Sequence, residues 1–294
     1  MGTSWSVQAV TPRAGPPEGM ETGIAATLDA VIAQMSNWEA DSDISRFNRS
    51  PPGQWQMLPE AFATVLRAGL DVARGSDGAF DPAIGGLVER WGFGPAGYRM
   101  PPTAASPIEG WRAIEMDGAR ARRTADVTLD FSGIAKGFAV DAVARYLDAA
   151  GVRNCLVEIG GELRGTGIRP DGQPWWVDLE TPPGLPLPTS RVALCGISVA
   201  TSGDYRRFVE NDGQRYAHSI DPRTGAPVRN GVTSVSVLHD SAMLADAWAT
   251  ALMVLGVESG LRTAAREGLA ALMVTRGADG AKEWMSPGFA AMLD

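Results

Sequence analysis

Two short stretches hold residue types that can do chemistry together. In SAMLADAWATALMVLG, residues 241–256, an apolar run carries one carboxylate, Asp246, and four residues later a hydroxyl, Thr250. At helical spacing the two share a face. The run is apolar nearly all round, which predicts a buried helix over Ser241–Leu255 with Asp240 or Ser241 as its cap. A buried, unpartnered charge costs several kcal/mol. Asp246 therefore pairs with an arginine, caps a loop, or takes a hard cation, for which an Asp oxygen and a Thr hydroxyl are suitable donors. The second stretch is TLDFSGIAKGFAVDAVARYLDAAG, residues 128–151, where a Gly133–Ile134–Ala135–Lys136–Gly137 turn leads into a helical pattern. It lacks the spacing of a P-loop. Free N–H groups at a helix start and closely approachable glycines still favour an anion there.

Other candidates are weaker taken singly. RYAHSIDPRTGAPV holds His218, which reads either as a structural histidine or as an acid/base group. His239 ends a strand-like run and reads as exposed. Thr201, Ser202 and Gly203 follow a strand, where they donate to a ligand or cap a helix. GGEL reads as a tight turn, Asp81–Pro82 as a turn between aromatic groups, and DPRTG as turn chemistry. Trp38 packs in a core or stacks on a ring. No nucleophile elbow, thiol–histidine pair or zinc spacing is present.

The elements that must position these residues follow from periodicity. Residues 3–10 read as a strand; Met20–Trp38 and Pro59–Arg74 read as helices, joined by the polar loop NWEADSDISRFNRSPPG. Residues 85–108 read as irregular. WRAIEMDGARARRTADVTLDF reads as strand, Asp117–Gly118 turn, strand. A helix with Val140, Val143, Ala144 and Leu147 on one face comes next. Strands then fall in NCLVEI, ELRGTG, WWVDLETP, RVALCGISVATSG and, with alternating character, GVTSVSVLHD; LRTAAREGLAALMVTR adds helix and strand. The fold class is α+β with mostly antiparallel sheets.

Of 294 residues, 45% are hydrophobic and 20% charged, and the formal net charge is -8. That is globular composition without the basic surface a nucleic-acid partner requires. No apolar run reaches the roughly 18 residues of a membrane-spanning helix. Cys155 and Cys195 lie in strand-like apolar runs and read as buried free thiols.

Taken together and in this order, MGTSWSV, MSNWEADSDISRFN, GAFDPAIGGLVERWGFGP, DFSGIAKGFAVD, CLVEIGGELRGTG, SVATSGDYRRF, RYAHSIDPRTGAPV and ADAWATAL resemble the ApbE family, the FAD:protein FMN transferases. The resemblance implies an α+β, T-fold-related architecture with packed helices, spanning 1–294 as one domain or two tightly joined subdomains. It implies Mg²⁺ held by the Gly133 carbonyl, Asp246 and Thr250. It places FAD against Met1, Trp38, Ala79, Phe80, Asp81, Asp130, Lys136 and Ile220, with Asp246 or His218 taking a proton. Trp38 stands where the family often has Tyr, and the family varies at the Lys136 position. The implied reaction moves FMN from FAD to a Thr or Ser of a target flavoprotein bearing D-x-x-[ST]-G-A-[ST] and releases AMP. Two other functions fit the same site: an Mg²⁺-dependent FAD pyrophosphatase giving FMN and AMP, and a non-enzymatic FAD-binding protein. Asp221–Pro227 resembles the acceptor motif but ends in Pro, so self-flavinylation there is not expected. Two locations are open: the cell envelope, where family members often sit behind a signal segment, and the cytoplasm.

Overall fold

The computed structural model describes residues 2–11, 13, 15–97, 109–205, 208–211, 214–277 and 280–293. In chain order the elements are β1 (Trp5–Ala9), α1 (Met20–Met35), α2 (Asp43–Arg49), β2 (Gln56–Met57), α3 (Glu60–Gly75), α4 (Gly85–Arg90), β3 (Ile114–Asp117), β4 (Arg120–Arg123), α5 (Ala135–Ala149), β5 (Cys155–Ile159), β6 (Glu162–Thr166), β7 (Trp175–Asp178), β8 (Arg191–Leu194), β9 (Ile197–Gly203), β10 (Phe208–Asn211), β11 (Gln214–Ala217), β12 (Ile220–Asp221), β13 (Ala226–Pro227), β14 (Val232–His239), α6 (Ala242–Arg266), β15 (Ala270–Gly277), β16 (Gly280–Met285) and α7 (Pro287–Ala290).

Seven strands form one antiparallel sheet in the order β1-β5-β6-β9-β14-β15-β16. Side chains alternate across it, and each face has its own core. Cys155, Val157, Ile159, Ala200, Val235, Val237, Ala271 and Met273 pack with α1, α3, α5 and α6. Leu156, Val199, Leu238, Ala270 and Leu272 face the other way, against Trp175, Leu194 and Phe289. Each Val, Leu, Ile and Met among them contributes roughly 1.5–3 kcal/mol by leaving water. β14 is consequently buried along nearly its whole length, and not on one face only as its alternation implied.

Several boundaries differ from the sequence reading. The polar loop after α1 contains α2, because Ser42 accepts from the Ser45 N–H and caps it. Within the Gly-rich stretch after Asp81, Gly85–Arg90 is helical, while residues 98–108 lie outside the described residues. Thr201–Gly203 are the last residues of β9, not a helix cap. Of the two free cysteines Cys155 is buried, but Cys195 is exposed at the β8–β9 turn. His239 is half-buried, and its Nδ1 accepts from the Ser241 N–H at 2.9 Å.

α6 carries the apolar segment anticipated above. Ser241 caps it, and Gly256, at φ 76°, interrupts it one residue past the anticipated end. It is the one described helix long and apolar enough to cross a membrane, but it is mostly buried against the sheet and α5. Its start is held by Asp141 of α5. Asp141 Oδ1 accepts from Arg164 at 3.0 Å and the Ala242 N–H at 3.1 Å; Oδ2 accepts from the Ser241 hydroxyl at 2.7 Å and the Met243 N–H at 3.1 Å.

All four partners are donors, so only an acceptor-only group satisfies them. Asp141→Asn turns an amide NH₂ toward two of these donors. Its expected cost is about 2–4 kcal/mol, read as a lower urea midpoint with an unchanged m-value.

Candidate functional site

The N-terminal ends of α5 and α6 lie against each other because residue 137 has no side chain. A Cβ at Gly137 would stand 2.1 Å from the Ala242 carbonyl oxygen and 2.8 Å from Met243 Cα. That closeness lets Asp246, one turn into α6, reach the first turn of α5, where the Gly137 N–H donates to Asp246 Oδ2 at 3.1 Å. An orphan helix-terminal amide thus meets a carboxylate, as the helix dipole favours.

Gly133 is the second point of convergence. A Cβ there would lie 3.0 Å from Thr250 Oγ1 and 3.3 Å from Phe80 Cε2. Thr250 Oγ1 also lies 3.2 Å from the Ser202 hydroxyl at the end of β9. Gly133, Asp246 and Thr250, which the family resemblance implies as one metal set, stand together around one cavity of ≈ 290 Å³. Their donors are a carboxylate, a hydroxyl and a carbonyl, all hard oxygens, so the residues present fit Mg²⁺.

The same cavity is lined by Ala79, Phe80, Asp81, Asp130, Lys136, His218 and Ile220. Ala79–Asp81 come from the turn after α3, where Ser76 Oγ accepts from the Phe80 N–H at 3.0 Å. Asp130 is buried; its Oδ2 accepts from Asn37 at 3.0 Å and its Oδ1 from the Ser132 N–H at 2.8 Å. Ile220 is seated by Leu87 and Trp91, whose indole N–H donates to the Gly225 carbonyl at 2.8 Å. The DPRTG segment is the turn its composition implied, with Asp221 paired to Arg223. The His218 ring meets Phe93 edge-on at 6.4 Å between centroids. Trp38 is 59% exposed and is not among the cavity-lining residues. Met1 lies outside the described residues.

Lys136 does not face an open phosphate cradle. Its Nζ pairs with Glu162 Oε1 and lies 3.6 Å from Asp246 Oδ1. Sequence reasoning passed over Glu162 as part of a turn. No local signal marks it: it opens β6 directly after the Gly160–Gly161 turn, and only the fold shows that it is buried, at 1% exposed. Ser202, Asn37, Ile84 and Val88 were likewise not singled out as site residues from sequence, apart from the weak donor reading of Ser202.

Four carboxylates thus line the cavity: Asp81, Asp130, Glu162 and Asp246. Burial pushes the Asp81 carboxyl from 3.8 up to about 6, against the opposing pull of the Ala83 N–H and, at longer range, the amides of Trp111 and Gly110.

The model of the ApbE family matches residues 1–273. The FAD:protein FMN transferase of Vibrio cholerae is 37% identical over 302 residues, covering 100% of this chain and 90% of that protein. The protein of the same name from Salmonella typhimurium is 35% identical, covering 100% and 87%. Among solved structures, the apo flavinyl transferase ApbE of Pseudomonas stutzeri superposes with a TM-score of 0.90 at 38% identity, covering 99% of this chain and 94% of that one. The Vibrio cholerae flavin transferase ApbE does so with a TM-score of 0.89 at 35% identity, covering 99% and 96%.

A raised carboxyl pKa means stability that is complete below 3.8 and lost as pH rises through about 6. In EDTA, Asp81→Asn should match the unsubstituted protein at low pH and exceed it by roughly 3 kcal/mol above pH 6. Urea unfolding of both proteins across that range measures the difference.

Proposed function

The chain belongs to the ApbE family, and we propose on that premise that it transfers FMN from FAD to a Thr or Ser hydroxyl of a target flavoprotein in an Mg²⁺-dependent reaction. It is a transferase of the FAD:protein FMN class, like its relatives. The observation that carries the metal-dependent reading is the convergence of Gly133, Asp246 and Thr250 in a cavity with four carboxylates. A dinucleotide brings a diphosphate of the same sign, and such a cavity accepts it only with compensating cations.

The residues divide the work as follows. Gly133, Asp246 and Thr250 would hold Mg²⁺, which when bound neutralises diphosphate charge and polarises the phosphorus. Ala79, Phe80 and Ile220 offer apolar surface to the flavin nucleotide, and Asp130, fixed by Asn37, offers hydrogen-bond acceptors. The acceptor hydroxyl oxygen attacks the phosphorus on the FMN side. A phosphoester bond forms there as the diphosphate P–O bond breaks, and AMP leaves. With one Asp246 oxygen held by the Gly137 N–H and the other given to the metal, Asp246 has no free oxygen for a proton. We therefore assign the hydroxyl proton to His218, which lines the cavity beside Ser219 and Ile220. Positioning and charge compensation supply most of the rate in such a transfer. The acceptor is a protein presenting D-x-x-[ST]-G-A-[ST].

Incubation with FAD, Mg²⁺ and an acceptor protein carrying that motif should give covalent flavin fluorescence on the acceptor and stoichiometric AMP. EDTA or Asp246→Ala should abolish both. His218→Ala should lower kcat by about 10²–10⁴ while FAD still binds. AMP and FMN released without labelling would instead make the protein a pyrophosphatase.

A further inference from the structure

We propose that Lys136 is a built-in counter-cation for the metal site: its ammonium neutralises Asp246 and Glu162 while the site is metal-free and is expelled into the cavity when a divalent cation binds. This rests on the Mg²⁺ reading above and adds an order of events to it.

Three observations carry the inference. The Glu162 and Asp246 side chains are 2% and 4% exposed, whereas Lys136 is 31% exposed. The carboxylates cannot turn to water, but the ammonium can. Two nearly buried carboxylates need compensating charge at all times, and Lys136 supplies it from within reach of both. Lys136 also projects from the first turn of α5, three residues after Gly133 and one before the amide that binds Asp246. An ammonium beside Asp246 and a dication on the same carboxylate repel each other at short range. Of these two cations the ammonium has the flexible stem, so it is the one that moves. It moves into the cavity, where a diphosphate would accept its hydrogen bonds.

The choice of lysine is itself informative. The chain contains 26 Lys and Arg residues in total, and only Lys136 and Lys282 are lysine. Elsewhere the sequence uses arginine. A guanidinium has a planar fork suited to holding a carboxylate pair, whereas an ammonium is a compact point charge on a mobile chain. Only the latter is an exchangeable stand-in for a metal ion.

The scarcity of lysine makes the test direct. Mn²⁺ binding without FAD, followed by EPR, should be tighter in Lys136→Met by about tenfold and weaker by a similar factor in Lys136→Arg, whose fork holds the carboxylate pair against the metal. In the unsubstituted protein, acylation by an N-hydroxysuccinimide ester, read by mass spectrometry, should label Lys136 several-fold faster with Mg²⁺ than with EDTA, with Lys282 of β16 as the internal reference. Mn²⁺ that binds through Asp246 but no more tightly in Lys136→Met, together with a Lys136 acylation rate indifferent to Mg²⁺, overturns the exchange and leaves the metal site standing. Mn²⁺ binding that Asp246→Ala does not weaken overturns the metal reading and this inference with it. Should Lys136→Met fail to fold, the acylation rates of the unsubstituted protein decide alone.

Discussion

The structure depends on a reciprocal arrangement of two helix starts. α5 lends Asp141 to the first amides of α6, and α6 lends Asp246 to the first turn of α5. Each carboxylate satisfies donors that a helix cannot satisfy for itself. The exchange is possible only because Gly137 lets the Ala242 carbonyl come within the space a methyl group would fill. The residue that would hold the metal is therefore also a structural cap, and its position is set by backbone packing and not by side-chain rotamers alone. Such a carboxylate is pre-organised before any ligand arrives.

Around that contact the cavity combines two kinds of wall. One is rigid and apolar, built from Phe80 and Ile220 on elements that pack into the cores. The other is anionic, built from carboxylates whose burial is compensated locally: Asp130 by Asn37 and the Ser132 amide, Glu162 by Lys136, Asp246 by an amide and an ammonium. Four carboxylates against one ammonium leave such a cavity net negative when no further cation is bound. It becomes receptive to an anion only when cations are added, so affinity for the dinucleotide and affinity for the metal are linked quantities.

Part of the candidate site was legible because burial conflicts with charge, whereas Gly133 as a metal ligand and Asp130 and Ile220 as nucleotide contacts were named only through the family resemblance. An Asp inside an apolar helix, followed by Thr one turn on, marked α6 and its polar face, and the glycines before α5 marked the close approach. α1, α3, α5 and the β5–β6 hairpin followed from periodicity and turn residues. What was not legible depended on partners distant in sequence. Nothing local to GVTSVSVLHD says that both faces of β14 are covered; that follows from β7, β8 and α7 packing behind the sheet. Glu162 looked like turn punctuation because its partner lies on α5, 26 residues earlier in the chain. The α2 segment hid in a polar loop because one serine cap, and not apolar periodicity, starts it. Trp38 shows the converse: an aromatic chosen by its type stands exposed, while the inconspicuous Asn37 beside it reaches Asp130.

The cavity wall includes both Thr3 and Thr250, and Thr3 sits against Gly160 of the β5–β6 turn. The middle strand of the sheet, β9, brings Thr201–Gly203 to that wall and pairs with β6 on one side and β14 on the other. A chain emerging from its N-terminus therefore exposes the first half of the cavity wall long before α6 exists to complete it. Contacts that far apart in sequence form late and slowly. The cavity is complete only once α6 has been made, and a polypeptide that ends before Asp246 lacks both side chains that α6 brings to it.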